Sequence, residues 1–325
     1  MKDTTARSPK TLVDAVRYYA DPDHCQAVMV ATRWPKGVTC PICGAPVTRY
    51  TTTRRLWECS TKHPRRQFTV KVGTIFEDSP LGLDKWLPAV WMIANCKNGI
   101  SSHELGRALG VTQKTAWFML HRIRLAMRTG TFQKMHGRVE ADETFIGGAA
   151  RFMHKDKKGA RLGGKRGGPT AGKIAVMGLL ERHGPDKASQ VRAFIVPTTR
   201  KGALGPKVRE NVAPGSEVIT DALRSYDDLQ DAYTHKVIDH AEAYVRGHVH
   251  TNGMENFWSL LKRAIKGTYV SVEPFHLFRY VDEEVFRFNR RRDADGDGGR
   301  FLTVLRSVTD RRIDYKTLTG HVAMA

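Results

Sequence analysis

The sequence predicts an α/β chain, α+β when taken whole, on three observations. Strand-like and helix-like stretches alternate from about residue 133. A helical region without strand character precedes them, and before that lies a Thr-, Arg- and Gly-rich stretch with three spaced cysteines. The expected organisation is a helical lead-in over 1–34, a cysteine ribbon over 35–78 and a helical region over 79–132. One sheet-bearing domain follows over 133–292, then a tail over 293–325.

Composition narrows the function before any motif does. The 325 residues carry 53 Lys and Arg against 33 Asp and Glu, a net charge of +20. Such a field draws polyanions, nucleic acid foremost. A membrane surface is the rival partner, but no basic amphipathic helix stands alone and no tail sets clustered lysines beside an apolar stretch, so it ranks well below and no membrane is expected. The N-terminus lacks the apolar stretch of a secretory signal, and "WLPAVWMIANC" is too short to span a bilayer. Five cysteines, three of them clustered, fit a reducing interior and a metal site better than a disulfide framework. The expected compartment is the cytoplasm, in association with a bacterial nucleoid.

The ribbon rests on "CPICG" at 40–44 and "WECSTKH" at 57–63. Cys40 and Cys43 at CxxC spacing, with Gly44 for the turn, aim two thiolates at one ion. Cys59 supplies a third, and His63 is the expected fourth ligand of a structural Zn2+, with His24 as the alternative. The intervening "TRYTTTRRLWE" has the β-branched and aromatic content of a hairpin. Cys25 and Cys96 are expected to be core thiols.

The helical region contains "LDKWLPAVWMIANC" and then "SSHELGRALGVTQKTAWFMLHRIRLAM". Ser101 and Glu104 form a capping box, Leu105 and Leu109 face a core, and Gly110 makes a tight turn. Thr112 caps a second helix striped by Ala116, Met119, Leu120 and Ile123. This is helix-turn-helix spacing. Gln113, Lys114, Arg122 and Arg124 are its candidate contacts to phosphates and base edges. A plain helical hairpin with a solvated basic face fits the same pattern, and the net charge favours DNA.

Beyond 133, "GRVEADETFIGG", "KIAVMGLLER" and "VRAFIVP" read as three strands. A helix in "GALGPKVRENV", a strand in "SEVITD", a short helix in "RSYDDLQ", a strand in "HKVID" and a helix over 250–267 follow. Three strands and then helix–strand–helix–strand–helix is the element order of a ribonuclease H-like mixed sheet. Between the first two strands, residues 149–173 hold eight Lys or Arg against one Asp. They are expected to form a basic loop that orders on nucleic acid, with Lys157, Lys158, Lys165 and Arg166 as candidate DNA contacts. Two lookalikes are rejected. "GGPTAGKI" has Ile174 where a phosphate loop needs Ser or Thr, and "DADGDG" at 293–298 has Val304 where a calcium loop needs Glu. Both are expected to be loops.

In so basic a chain, acids at the ends of apolar strands need a reason. Asp142 lies in "VEADETF", Asp221 closes "EVIT", and Glu255 sits in the first turn of the helix at 250–267. Clustered carboxylates repel each other and make sense around divalent cations. Plainer explanations exist for each. Alternation does not say which of Glu140, Asp142 and Glu143 points inward, Asp221 suits an N-cap, and Glu255 fits a capping box with Asn252. Phe257 and Trp258, spaced with Met254, Leu261 and Ile265, read as a buried stripe.

Four stretches in this order resemble bacterial insertion-sequence transposases of the DDE class, in the ISXO-like branch. They are "CPICG" with "RRQFTVKVGTIFEDSPLGLDKW", "ADETFIGG", "ITDALRSYDDL", and "HTNGMENFWSLLKRAIKGTYVSVEPFHLFRYVDEEVFRFNRR". The resemblance implies that Asp142, Asp221 and Glu255 bind two Mg2+ (or Mn2+) ions, and that Lys262 handles DNA near the cut. His250 and Asn252 are possible helpers of the third acid. It implies hydrolysis at the element end, then attack of the freed 3′-hydroxyl on target DNA, by a dimer or larger assembly. The competing readings are a metal-dependent nuclease or resolvase without strand transfer, and a non-catalytic DNA-binding regulator.

Overall fold

The computed structural model describes residues 9–128, 130, 133–148, 170–184, 187–221, 224–226, 229–238 and 251–320. His250, Lys157, Lys158, Lys165, Arg166 and most of the basic loop lie outside the described residues. The chain divides into two compact units, one formed by 1–129 with 293–325 and the other by 130–292.

The first unit opens with helices α1 (Leu12–Tyr19) and α2 (Pro22–Arg33). The ribbon strands β1 (Tyr50–Thr51), β2 (Leu56–Glu58) and β3 (Gln67–Phe68) form an antiparallel sheet in that order. The expected hairpin is present, with Tyr50 opposite Trp57 and Trp57 opposite Phe68. Helix α3 (Leu83–Asn95) is buried almost all round, including both Trp86 and Trp91, so it serves as the unit's central element. Helices α4 (Ser102–Leu109) and α5 (Gln113–Met127) follow. Ser101 and Glu104 form the predicted capping box, Gly110 takes φ +65° at the turn, and the Thr112 side chain accepts from Thr115 N.

In the second unit, β4 (Arg138–Ile146), β5 (Ile174–Glu181) and β6 (Gln190–Val196) are an antiparallel meander. Helix α6 (Lys201–Asn211) leads to β7 (Glu217–Asp221), which lies parallel to β4, and β8 (Thr234–Ile238) lies parallel to β7. The sheet order β6-β5-β4-β7-β8 is the mixed ribonuclease H-like arrangement. Helices α7 (Asn252–Arg263) and α8 (Leu277–Asn289) complete the unit. Two cores sandwich the sheet. Val139 and Ala141 of β4 share one with Leu204 and Val208 of α6, while Ile146 shares the other with Phe257, Trp258 and Leu261 of α7. Period-two alternation therefore aims even-numbered β4 residues at α7 and odd-numbered ones at α6.

The chain then returns to the first unit. The 293–325 segment is more than a tail: α9 (Gly296–Arg306) and α10 (Tyr315–Leu318) belong to that unit, and Phe301 packs on Tyr19 and Trp91. "DADGDG" is correspondingly not a loop throughout, because α9 begins inside it at Gly296. Among the described residues no helix is long and apolar enough to cross a membrane.

Candidate metal centre and acidic site

In the first unit, the ligand atoms of Cys40, Cys43, Cys59 and His63 all lie within 4.8 Å of one another. Cys43 Sγ is 3.6 Å from Cys59 Sγ, and Cys40 Sγ is 3.4 Å from His63 Nε2. With Zn–S bonds of about 2.3 Å and Zn–N bonds of about 2.0–2.1 Å, a tetrahedron has edges of about 3.8 Å and 3.5 Å. These two edges fit that shape. The Ala45 backbone N–H holds the Cys43 thiol below its ordinary pKa, which favours the metal-binding thiolate. The alternative ligand His24 is engaged elsewhere, its Nδ1 on Tyr18 O at 3.2 Å and its ring stacked on Tyr18. Cys25 is a fully buried thiol donating to Tyr19 O, and burial pushes its pKa up to about 12.

The helix-turn-helix contacts divide. Gln113 and Lys114 are exposed at the start of α5. Arg122 and Arg124 are not available to a duplex, being 3% and 1% exposed. Arg122 Nη2 donates to Glu77 O at 2.7 Å, and its guanidinium lies over the Phe118 ring. Arg122 thereby ties α5 to the segment around Glu77 within the unit.

In the second unit, β4 and β7 bring the first two acids level. The last paired residues are Glu140 and Ile219. Asp142 and Asp221 each lie two residues further on, so the same register sets them side by side on the face toward α7. Asp221 ends its strand, at the carboxyl edge where α/β sheets place their sites. Burial, offset in part by the Glu143 backbone N–H and reinforced by the charges of Asp221 and Glu255, lifts the Asp142 carboxyl to about 6. All three acids therefore share one field, although their oxygens do not gather as closely as the zinc ligands do.

The third acid is placed by a contact that sequence reasoning missed. Helix α7 has no side-chain N-cap, and the expected Asn252–Glu255 box does not form, because Asn252 is already inside the helix with Thr251 as the cap residue. Glu140 takes over: its Oε2 accepts from Met254 N at 2.8 Å and its Oε1 from Arg182 Nε at 2.6 Å. A carboxylate from a strand thus satisfies an orphan donor of the helix and complements its dipole. Gly253 permits this approach, since a Cβ there would stand 2.8 Å from Glu140 Oε1. Glu255 follows one residue later, exposed, with Lys262 half-buried about two turns on.

Trp258 has a second role beside its place in the apolar stripe. Its Nε1 donates to Asp142 Oδ2 at 3.0 Å, while Glu143 N donates to Oδ1 at 2.7 Å. Gly178, directly opposite Asp142 on β5, makes the room: a Cβ there would lie 2.8 Å from Trp258 Cζ2. On the other sheet face, Glu143 accepts from the Tyr226 hydroxyl. Burial and the charges of Asp221 and Asp142 raise Glu143 to about 8. The available signal for Glu140 and Trp258 was spacing, two residues from Asp142 and three from Glu255.

This combination of a Cys3His ribbon and a ribonuclease H-like sheet with acids at its carboxyl edge defines a nucleic-acid-processing protein. Residues 134–289 match the ISXO2-like transposase domain, and residues 20–61 match the transposase zinc-ribbon domain, a match that ends two residues before His63. The chain is 29% identical over 247 residues to a protein in transposable element ISH50 of Halobacterium salinarum, covering 73% of this chain and 80% of that one. It is 35% identical over 101 residues to a transposase-like protein of Haemophilus influenzae, covering 31% of this chain and 81% of that one. The chain belongs to the ISXO2-like insertion-sequence transposases.

Proposed function

We propose that the protein is a metal-dependent DNA transposase that cuts a phosphodiester at its element's ends and joins the freed 3′-hydroxyl to target DNA. The observation that carries this reading is the placement of Asp142 and Asp221 on adjacent parallel strands, where burial first, and the charges of Asp221 and Glu255 after it, raise the Asp142 carboxyl. Mutually repelling carboxylates on rigid elements suit divalent cations, and the oxygen-only donor set suits Mg2+ or Mn2+. When bound, a pair of such ions supplies charge neutralisation at the attacking and leaving oxygens of phosphoryl transfer.

The chain's own residues do the rest. Asp142, Asp221 and Glu255 hold the cations, with Trp258 and the Glu143 N–H fixing the Asp142 carboxylate in one orientation. Glu140 fixes the first turn of α7, and with it Glu255. Lys262 offsets phosphate charge beside them. In the first unit, the ribbon with Gln113 and Lys114 binds element ends. Two ends must be joined in concert, so the protein works as a dimer or larger assembly, on DNA in the cytoplasm.

The test incubates purified protein with end-bearing DNA, target DNA and Mg2+, for wild type and Asp221→Asn. Loss of both cleaved and joined products in the variant is expected. Equal activity in the two would overturn the reading, and cleavage without joined products from wild type would reassign it as a nuclease.

A further inference from the structure

The second unit contains a cleft of about 570 Å³, of whose lining only Lys262 has a role above. Its floor is apolar, with Ile146, Ile265 and Leu277 buried, and Lys173, Lys262 and Lys266 line it against one acid, Glu273. It lies beyond the acids along two elements at once. Ile146 is four residues past Asp142 on β4, and Lys262 is seven past Glu255 on α7, so both routes cover about 10–13 Å.

Its wall is unusual backbone. After α7 the chain winds as a π-helix over Ala264–Tyr269, a form that concentrates at functional positions. Tyr269 anchors this turn, donating its hydroxyl to the buried Glu283 and meeting Tyr280 edge-on at 4.7 Å. The next residue, Val270, takes φ +60° and ψ −56°, a conformation that β-branched residues avoid. Val270 is also 76% exposed and lines the cleft. No packing gain offsets the strain, so the strain holds an apolar knob out toward a partner.

Size and charge identify that partner. The volume is that of a small-ligand site, and a duplex, whose major groove alone is about 12 Å wide, cannot enter. One nucleotide can, with its base on the apolar floor and its phosphates among three lysines. We infer that the cleft takes a single unstacked nucleotide of the DNA strand, a few steps from the reacting phosphate, with Val270 wedged into the gap that nucleotide leaves. This rests on the transposase reading. It adds the requirement that the end be locally unstacked before it is cut. Apolar wedges at base steps, and extruded bases in pockets, are known ways for proteins to use unstacking energy.

The test uses the full chain with end-bearing duplexes carrying 2-aminopurine at successive positions around the cut. Fluorescence and cleavage are read on the same samples. Wild type is expected to cleave and to brighten one position within about three base steps of the cut, the reach set by about 10 Å at 3.4 Å per step. Val270→Gly relieves the strained φ and keeps the fold, as an unchanged melting temperature will verify. It is expected to lose the brightening and about tenfold in cleavage rate, both restored by an abasic nucleotide at that position. Cleavage by wild type with no brightened position overturns this inference and leaves the transposase reading standing. Brightening and cleavage unchanged in Val270→Gly overturn the wedge. No cleavage by wild type overturns both.

Discussion

Trp258 Nε1 lies 3.0 Å from Asp142 Oδ2, joining a helix and a strand 116 residues apart in sequence. A hydrogen bond to the charged form of a buried acid holds its pKa down. Replacing Trp258 with Phe keeps most of the packing and removes the donor, so Asp142 should rise further. The acidic limb of the pH–rate profile for end cleavage should move to higher pH, and stability should fall by about 1–2 kcal/mol in denaturant titration. An unmoved limb would show that the indole serves packing alone.

Gly178 should tolerate no side chain. A Cβ would meet Met254 Cε at 2.1 Å and Trp258 Cζ2 at 2.8 Å. The methionine end can swing aside, but the indole is fixed by its bond to Asp142. Gly178→Ala should therefore cost about 1–3 kcal/mol and suppress cleavage more than that loss explains. Chemical denaturation and kinetics on the same preparation separate the two effects.

Glu140→Ala should unfasten α7 and leave Arg182 without its closest carboxylate. Removing one partner of a buried pair costs about 3–5 kcal/mol, and the displacement of Glu255 should abolish activity. Glu140→Gln keeps an acceptor for Met254 N and should sit between the two in denaturant midpoint.

Without divalent cation at the acidic site, pH should act on stability with a definite sign. Asp142 is raised to about 6 and Glu143 to about 8, so the folded chain keeps protons that the unfolded chain sheds near pH 4. That contribution is complete below the unfolded pKa values and is lost as pH climbs through the folded ones. In Mg2+-free buffer with zinc left in place, the melting temperature should drop between about pH 4 and pH 8. Glu143→Gln should flatten the upper part of that slope, whereas a slope identical to wild type would remove Glu143 as its source.

Zinc analysis separates the two histidines. His24→Ala should bind zinc like wild type, while His63→Ala should weaken binding by at least about tenfold and open the ribbon to protease. Restoration by His63→Cys would establish that position 63 is a ligand and not merely a packing contact.

Much of this was legible in the sequence. The cysteine spacing, the Ser101–Glu104 box and the strand–helix order each depend on neighbours within a few residues, and all three are present. What was hidden depended on distant partners. Arg122 and Arg124 look like a basic helix face, but both are buried, and Arg122 donates to the carbonyls of Glu77 and Ile313. Asn252 and Glu255 match a capping box, but the helix starts one residue earlier, Glu255 N donates to Thr251 O, and Glu140 arrives from a strand to accept from Met254 N. Glu140 itself read as one more acid beside Asp142, because alternation fixes which residues share a face without saying what that face meets.

The return of 293–320 to the first unit has a consequence for synthesis. Phe301 completes a core begun by Tyr19 and Trp91, so the ribosome must make the whole of 130–292 before that core can close. The 130–292 segment is contiguous and can fold as it emerges, while the ribbon-bearing unit waits for the segment around Phe301. Early in its life the polypeptide would own a finished five-stranded sheet and an unfinished ribbon-bearing unit.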